Sequence, residues 1–332
     1  MIFPVHLRVA LCAALLPVLA SANDGIAGVS AGGIVFRKTD AIAMKKEVLT
    51  VSHDLITVDY EFLNESGADV EETIVFPLPA YAAAQIPMDT YYGEPAAFSI
   101  VVDGKPVAYT PTLVALDEAG NDVTAALRKA GLSTAQIAYT PDFGEQRAPA
   151  PLSDKQVKRL LALDLMSAEG ASGPDEPRWQ VQVNYVWKQK FPANRIVRVH
   201  HAYRPFTEGG PGATSVEGDF KQRYCADPAF FAAWRKVAAR NEGRYVPAAH
   251  VGYILKTGNT WKRGIEDFTL NIVKRAPGEL VSLCFPGTVT KLDSKTYQVR
   301  LKNFQPKDDL QIYFGNVSDY ADNKGRMPRL PR

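Results

Sequence analysis

Few residues in this 332-residue chain have types and spacings that could carry chemistry. There are five histidines. His6 lies in the first 22 residues, and His53, His200, His201 and His250 show no short metal-ligand spacing. His200 and His201 are neighbours on an expected strand, so they point to opposite faces and cannot readily share one ion. No metal site or cofactor is expected. No G-x-S-x-G elbow, phosphate-binding glycine loop or H-E-x-x-H helix occurs, and no catalytic residue is assigned. The adjacent acids Glu266-Asp267 and Asp308-Asp309 are candidates for acid/base work only if the fold brings them together. Adjacent acids at turns are ordinarily solvated surface.

Two aromatic features point to binding rather than reaction. Met88-Asp89-Thr90-Tyr91-Tyr92 puts two tyrosines in a connection between strands, where a peptide or a glycan could be met. Trp261 sits in a polar turn and is read as a recognition residue. The bland reading, tyrosines packed against their own domain, competes with this.

The cysteines speak to compartment. Arg8 followed by an apolar run over residues 9–19 and Ala20-Ser21-Ala22 reads as a secretory leader cleaved after Ala22. The run is too short to span a bilayer, and no later stretch approaches the roughly 18 apolar residues that spanning needs. The expected location is periplasmic or secreted. The leader holds Cys12, so Cys225 and Cys284 are left, and in an oxidising compartment they allow one pairing. The alternative is two buried free thiols. Loss of Arg8 brings 38 basic residues almost level with 36 acidic ones, which excludes a general nucleic-acid binder.

The elements that must position these residues are mostly strands. Ile56, Val58, Tyr60 and Phe62 alternate with polar residues, and Trp179, Val181, Val183, Tyr185 and Trp187 do the same. Residues 196–203 form the return strand. Asp103-Gly104 between two short apolar runs predicts a type I′ hairpin. Helices are marked at 122–130, at Ser153 with Gln156 as a capping box, and at Asp227 with Pro228 in the first turn. Residues 209–218 read as a flexible link. Five further strands are expected near 251–256, 268–273, 280–285, 297–301 and 310–314.

The fold expected is mainly β: two antiparallel sandwich-like units (23–116 and 178–322), a helical insertion (117–177), a disulfide-tethered helix (227–241) and a loose tail (323–332).

Several stretches resemble the DUF4424 family, bacterial exported proteins of unknown function. They are Gly32-Gly33-Ile34-Val35-Phe36, Phe76-Pro77-Leu78-Pro79, residues 187–193 (WKQKFPA), residues 199–205 (VHHAYRP), Tyr224-Cys225, residues 253–261 (YILKTGNTW), residues 280–284 (LVSLC) and residues 303–310 (NFQPKDDL). The resemblance spans nearly the whole chain after the leader. It implies an exported protein with paired cysteines and carries no reaction with it. The family usually has Pro-Ile shortly after the tryptophan, where this chain has Gly264-Ile265. The reading is an exported, non-catalytic binding or envelope-associated module whose partner is a peptide, a glycan or an envelope protein. The alternatives are a periplasmic hydrolase with a carboxylate-based site and an assembly protein using an exposed sheet edge.

Overall fold

Alternation of apolar and polar residues makes the strands, and turn residues at Asn194, Asp103-Gly104 and Gly264 reverse them. In the computed structural model the described residues are 24–30, 33–83, 98–138, 151–168, 176–205, 207–211, 219–240 and 246–317. The expected leader, Tyr91 and Tyr92, the last residue of the helix expected at 227–241, and the tail lie outside them. In chain order the strands begin with Gly25–Ser30 (β1), Gly33–Phe36 (β2), Ile42–Val51 (β3), Ile56–Asn64 (β4), Val70–Pro77 (β5) and Tyr81–Ala82 (β6). Then come Ser99–Val102 (β7), Lys105–Pro106 (β8) and Thr110–Leu116 (β9). Helices Thr124–Lys129 (α1), Thr134–Ala138 (α2) and Asp154–Ala162 (α3) precede the short strands Met166–Ser167 (β10) and Glu176–Pro177 (β11). Gln180–Phe191 (β12), Ile196–Tyr203 (β13) and Thr207–Pro211 (β14) lead to helices Asp219–Tyr224 (α4) and Pro228–Arg240 (α5). The chain ends in Pro247–Tyr253 (β15), a 3-10 turn Lys256–Thr260, Ile265–Val273 (β16), Leu280–Leu283 (β17), Thr290–Lys291 (β18), Thr296–Phe304 (β19) and Leu310–Gly315 (β20).

The protein is mainly β, built on three larger sheets. The widest has the order β18-β19-β16-β3-β4-β13-β7-β8. A second sheet runs β2-β1-β5-β12-β6, with β9 also on β12, and a third runs β14-β15-β20-β17. One apolar core takes residues from all three, among them Leu49, Val58, Trp187, Tyr253, Leu270 and Phe314. Strands from the 23–116 segment and the 178–322 segment interleave in the widest sheet, where β3 sits between β4 and β16. The β3–β16 contact is parallel, from Ile265 against Met44 to Ile272 against Val51, so the sheets are not antiparallel throughout. Parallel neighbours need a long crossover, and most of the chain lies between these two strands.

The helices divide between two places. α1, α2 and α3 pack Leu127, Ile137 and Leu160 against Trp179 and Val181. The capping box forms as expected: the Ser153 side chain accepts from the Gln156 backbone, and the Gln156 side chain accepts from Ser153 N at 2.9 Å. Leu160 of α3 turns into the cluster with Val157 packed beside it, while Leu161 is 38% exposed. α5 lays Phe230, Trp234 and Val237 on Ala248 and Tyr313 of the third sheet. The expected link at 209–218 is corrected in its first part, where Gly209 and Gly210 lie in β14 and pair with Ala249 and Ala248. Backbone pairing satisfies residues whose side chains give no strand pattern.

Candidate functional site

The alternation of β13 decides the fate of the two adjacent histidines. His200 faces outward and its Nδ1 lies 2.7 Å from Asp59 Oδ1 on β4. His201 faces inward, wholly buried, with Nε2 3.0 Å from both carboxylate oxygens of Asp24, itself 1% exposed. Trp261 Nε1 donates to the Asp24 backbone oxygen at 2.7 Å, so side chain and main chain of Asp24 are both held. Beside the pair the hydroxyls of Tyr60 and Tyr253 meet at 3.0 Å, and Tyr253 donates to buried Glu47 at 3.5 Å. Rings of Tyr60, Phe76, Phe98 and Trp187 wall in the imidazole at centroid distances of 5.1–5.6 Å.

Burial pushes the Asp24 carboxyl above its ordinary value, while the charge and hydrogen bond of His201 pull the other way. Burial also holds the Tyr60 and Tyr253 hydroxyls well above the usual phenol range, with the carboxylates of Glu47 and Asp24 adding to it. These tyrosines are therefore neutral hydrogen-bonding groups. His201 Nδ1 has no partner among the described residues, so the ring's one hydrogen-bonded edge faces Asp24. An aspartate orienting an imidazole is half of a nucleophile-activating relay, but a relay works only on a substrate it can touch. This pair is closed off on every side by the core. Its chemistry is spent on fixing the start of the described chain between the sheets.

The acids singled out in the sequence do not converge. Glu266 pairs with Lys45 and Arg263, and Asp267 pairs with Lys302 across β16 and β19 at 2.8 Å. Glu65, beside them, is held down to about 2 by hydrogen bonds from Arg263 and Lys262. Asp309 accepts from the backbone N–H groups of Leu255 and Lys256 and so starts the 3-10 turn, while Asp308 points to solvent. Among the described residues no three histidine, cysteine, aspartate or glutamate side chains gather to hold a metal ion.

The cysteines do pair. Cys225 and Cys284 form a disulfide with Cα atoms 4.9 Å apart, joining the α4–α5 corner to the end of β17. Asp227 caps α5, its Oδ1 accepting from Phe230 N at 2.7 Å. Tyr224 at the same corner hydrogen-bonds His250 Nδ1 at 2.7 Å, and burial drives that imidazole down to about 4. Trp261, expected as a recognition residue, is corrected: it is fully buried between Phe62 and Phe191. The polar residues around it cap and turn the chain, and the indole fills the core beneath them.

One surface stands apart from this inward chemistry. The face of the widest sheet turned away from the core carries Gln298, Asn271, Thr50 and Thr57 in register on four neighbouring strands. Gln298 Nε2 donates to Asn271 Oδ1 at 2.8 Å, and Asn271 Nδ2 donates to Thr50 Oγ1 at 3.2 Å. Sequence reasoning missed this row because each of its members is an ordinary polar residue on its own strand. Only the pairing register brings them together.

Comparison with known proteins gives a family and a set of remote structural likenesses. No curated protein matches the chain. A "putative nutrient binding protein" of Legionella pneumophila aligns at 16% identity and a TM-score of 0.41, over 83% of this chain and 68% of that one. An M1 zinc metallopeptidase of Deinococcus radiodurans aligns at 8% identity and a TM-score of 0.28, over 84% of this chain and 43% of that one. Likenesses this low carry no weight for fold or activity. The family model described as a domain of unknown function, DUF4424, matches residues 22–313, and the chain belongs to that family.

Proposed function

We propose that the protein is an exported, non-catalytic module that binds a component of the cell envelope. The observation that carries this reading is the disposition of its reactive groups. Asp24, His201, Glu47, Tyr60 and Tyr253 are turned into the core, where no substrate reaches them. Of the candidate acids, Glu266, Asp267 and Asp309 are engaged by neighbouring cations or backbone amides, and Asp308 is an isolated exposed carboxylate. The disulfide suits an oxidising compartment, and no helix of the described residues is long and apolar enough to cross a membrane.

Two measurements test the proposal. Fractionation of the native host followed by N-terminal sequencing should recover a chain beginning at Asn23, outside the cytoplasm. Recovery of uncleaved protein in the cytoplasm would overturn export. Purified protein should bind envelope material and leave it chemically unchanged; release of fragments by the protein alone would favour the hydrolase reading.

A further inference from the structure

We infer that the outward face of the widest sheet is a binding platform for a linear, uncharged glycan, with Asn271 and Gln298 as its central contacts; this rests on the binding-module reading. The row runs Thr290, Gln298, Asn271, Thr50, Thr57 over the five consecutive strands β18, β19, β16, β3 and β4. Adjacent strands lie about 4.8 Å apart, so the row is a series of hydrogen-bonding groups about 19 Å long. That step is close to the length of one sugar ring in an extended chain.

The row is built rather than merely polar. The Gln298–Asn271 and Asn271–Thr50 hydrogen bonds fix the amide orientations and leave each amide a further N–H, and Thr50 its own hydroxyl hydrogen, for an outside partner. Fixing side chains before binding lowers the entropy lost on association. The other face of the same strands is core, with Leu49, Val58, Leu270 and Val299 buried, so the platform has a rigid backing.

The chemistry selects the occupant. The row has no charge, and the acids of the neighbouring rows are already matched: Asp267 with Lys302, Glu61 with Arg198, and Asp59 with His200. A cationic ligand finds no free acid there. Nucleic acid would need a concentrated basic stripe, and the exposed Val289 and Leu292 beside Thr290 are two single side chains, short of the apolar face a lipid surface needs. A peptide strand binds through an open edge, whereas this row crosses the middle of the sheet. A neutral polyol needs a row of donors and acceptors at matching intervals, which the face supplies. No acid of the row itself stands ready to protonate a glycosidic oxygen, so the sugar is held without being cut.

The test is titration of the full chain with chitohexaose and with cellohexaose, by calorimetry. The expected result is binding of at least one hexamer, weakened about tenfold by Asn271→Ala and by Gln298→Ala, with melting temperatures close to wild type. Lys158→Ala on α3 should leave the affinity unchanged. No binding of either hexamer at millimolar concentration overturns the inference, as does binding that the double Asn271→Ala/Gln298→Ala variant retains in full. If envelope binding persists in either case, the module reading stands and only the platform falls. Cleavage of a hexamer would overturn both.

Discussion

The Asp24 carboxylate and the His201 imidazole meet at 3.0 Å across 177 positions of sequence, and neither side chain reaches solvent. Removing one member of a buried, hydrogen-bonded pair leaves the other without its partner. His201→Ala should therefore cost about 3–5 kcal/mol in denaturant unfolding. Adding Asp24→Asn to it should return part of the loss, because the stranded carboxylate is gone. A double variant weaker than His201→Ala alone would refute the pairing.

The same carboxyl sets a pH dependence. Its folded pKa is raised above the ordinary 3.8, so the folded state holds that proton more tightly than the unfolded state does. The contribution is fully present below 3.8 and is lost as pH rises through the folded value. The stability of the native protein relative to Asp24→Asn should therefore decline as pH increases from the acid side. Melts of both proteins at a series of acid pH values check the sign, and parallel curves would contradict it.

Reduction of the disulfide should lower stability by about 4 kcal/mol in the chain-entropy model for a loop of 59 residues. The helical layer has other holds, including Trp234 on Tyr313 and the Ser282 side chain on the Tyr224 carbonyl. Far-UV circular dichroism should accordingly stay native in a Cys225→Ser/Cys284→Ser variant while its denaturation midpoint falls.

All four tryptophans, Trp179, Trp187, Trp234 and Trp261, are buried, none more than 6% exposed. Native fluorescence should be blue-shifted and insensitive to iodide. Quenching that Trp261→Phe abolishes would return Trp261 to the surface.

Gly264 takes a φ of +74°, and a Cβ there would lie 2.8 Å from the Phe304 carbonyl oxygen. Gly264→Ala should cost about 1–2 kcal/mol from backbone conformation, before that contact is counted. Gly264→Pro should cost more, since proline fixes φ near −65°. A proline at this position therefore cannot be placed on this backbone without rebuilding the turn. A Gly264→Pro variant as stable as the native chain would count against the left-handed turn.

What could be read in advance was local. Alternation located β4, β12 and β13, and Asp103-Gly104 announced a hairpin whose two turn residues have φ of +46° and +78°. The Ser153 capping box and the Asp227 cap were equally visible, since their partners lie within three residues. Cys225 and Cys284 were legible across a long gap only because the one other cysteine, Cys12, lies among the first 22 residues. Asp24 with His201 was not legible, because any buried acid elsewhere in the chain could have served. Trp261 misled because the polar residues beside it look like surface, although their own side chains and backbone are engaged in the turn. The Thr50–Asn271 row depends on the β3–β16 register, and no local pattern encodes which distant strands will be neighbours.

The parallel seam between Met44 and Ile265 also sets a timetable. Synthesis at about 5–20 residues per second puts roughly 10–40 s between the appearance of these two residues. Through that interval the inner edge of β3 has no neighbour, and an apolar strand with an open edge is a target for misassociation. A first half held unfolded until β16 arrives would avoid that exposure. Of the two halves expressed separately, the N-terminal one should be the more prone to aggregate.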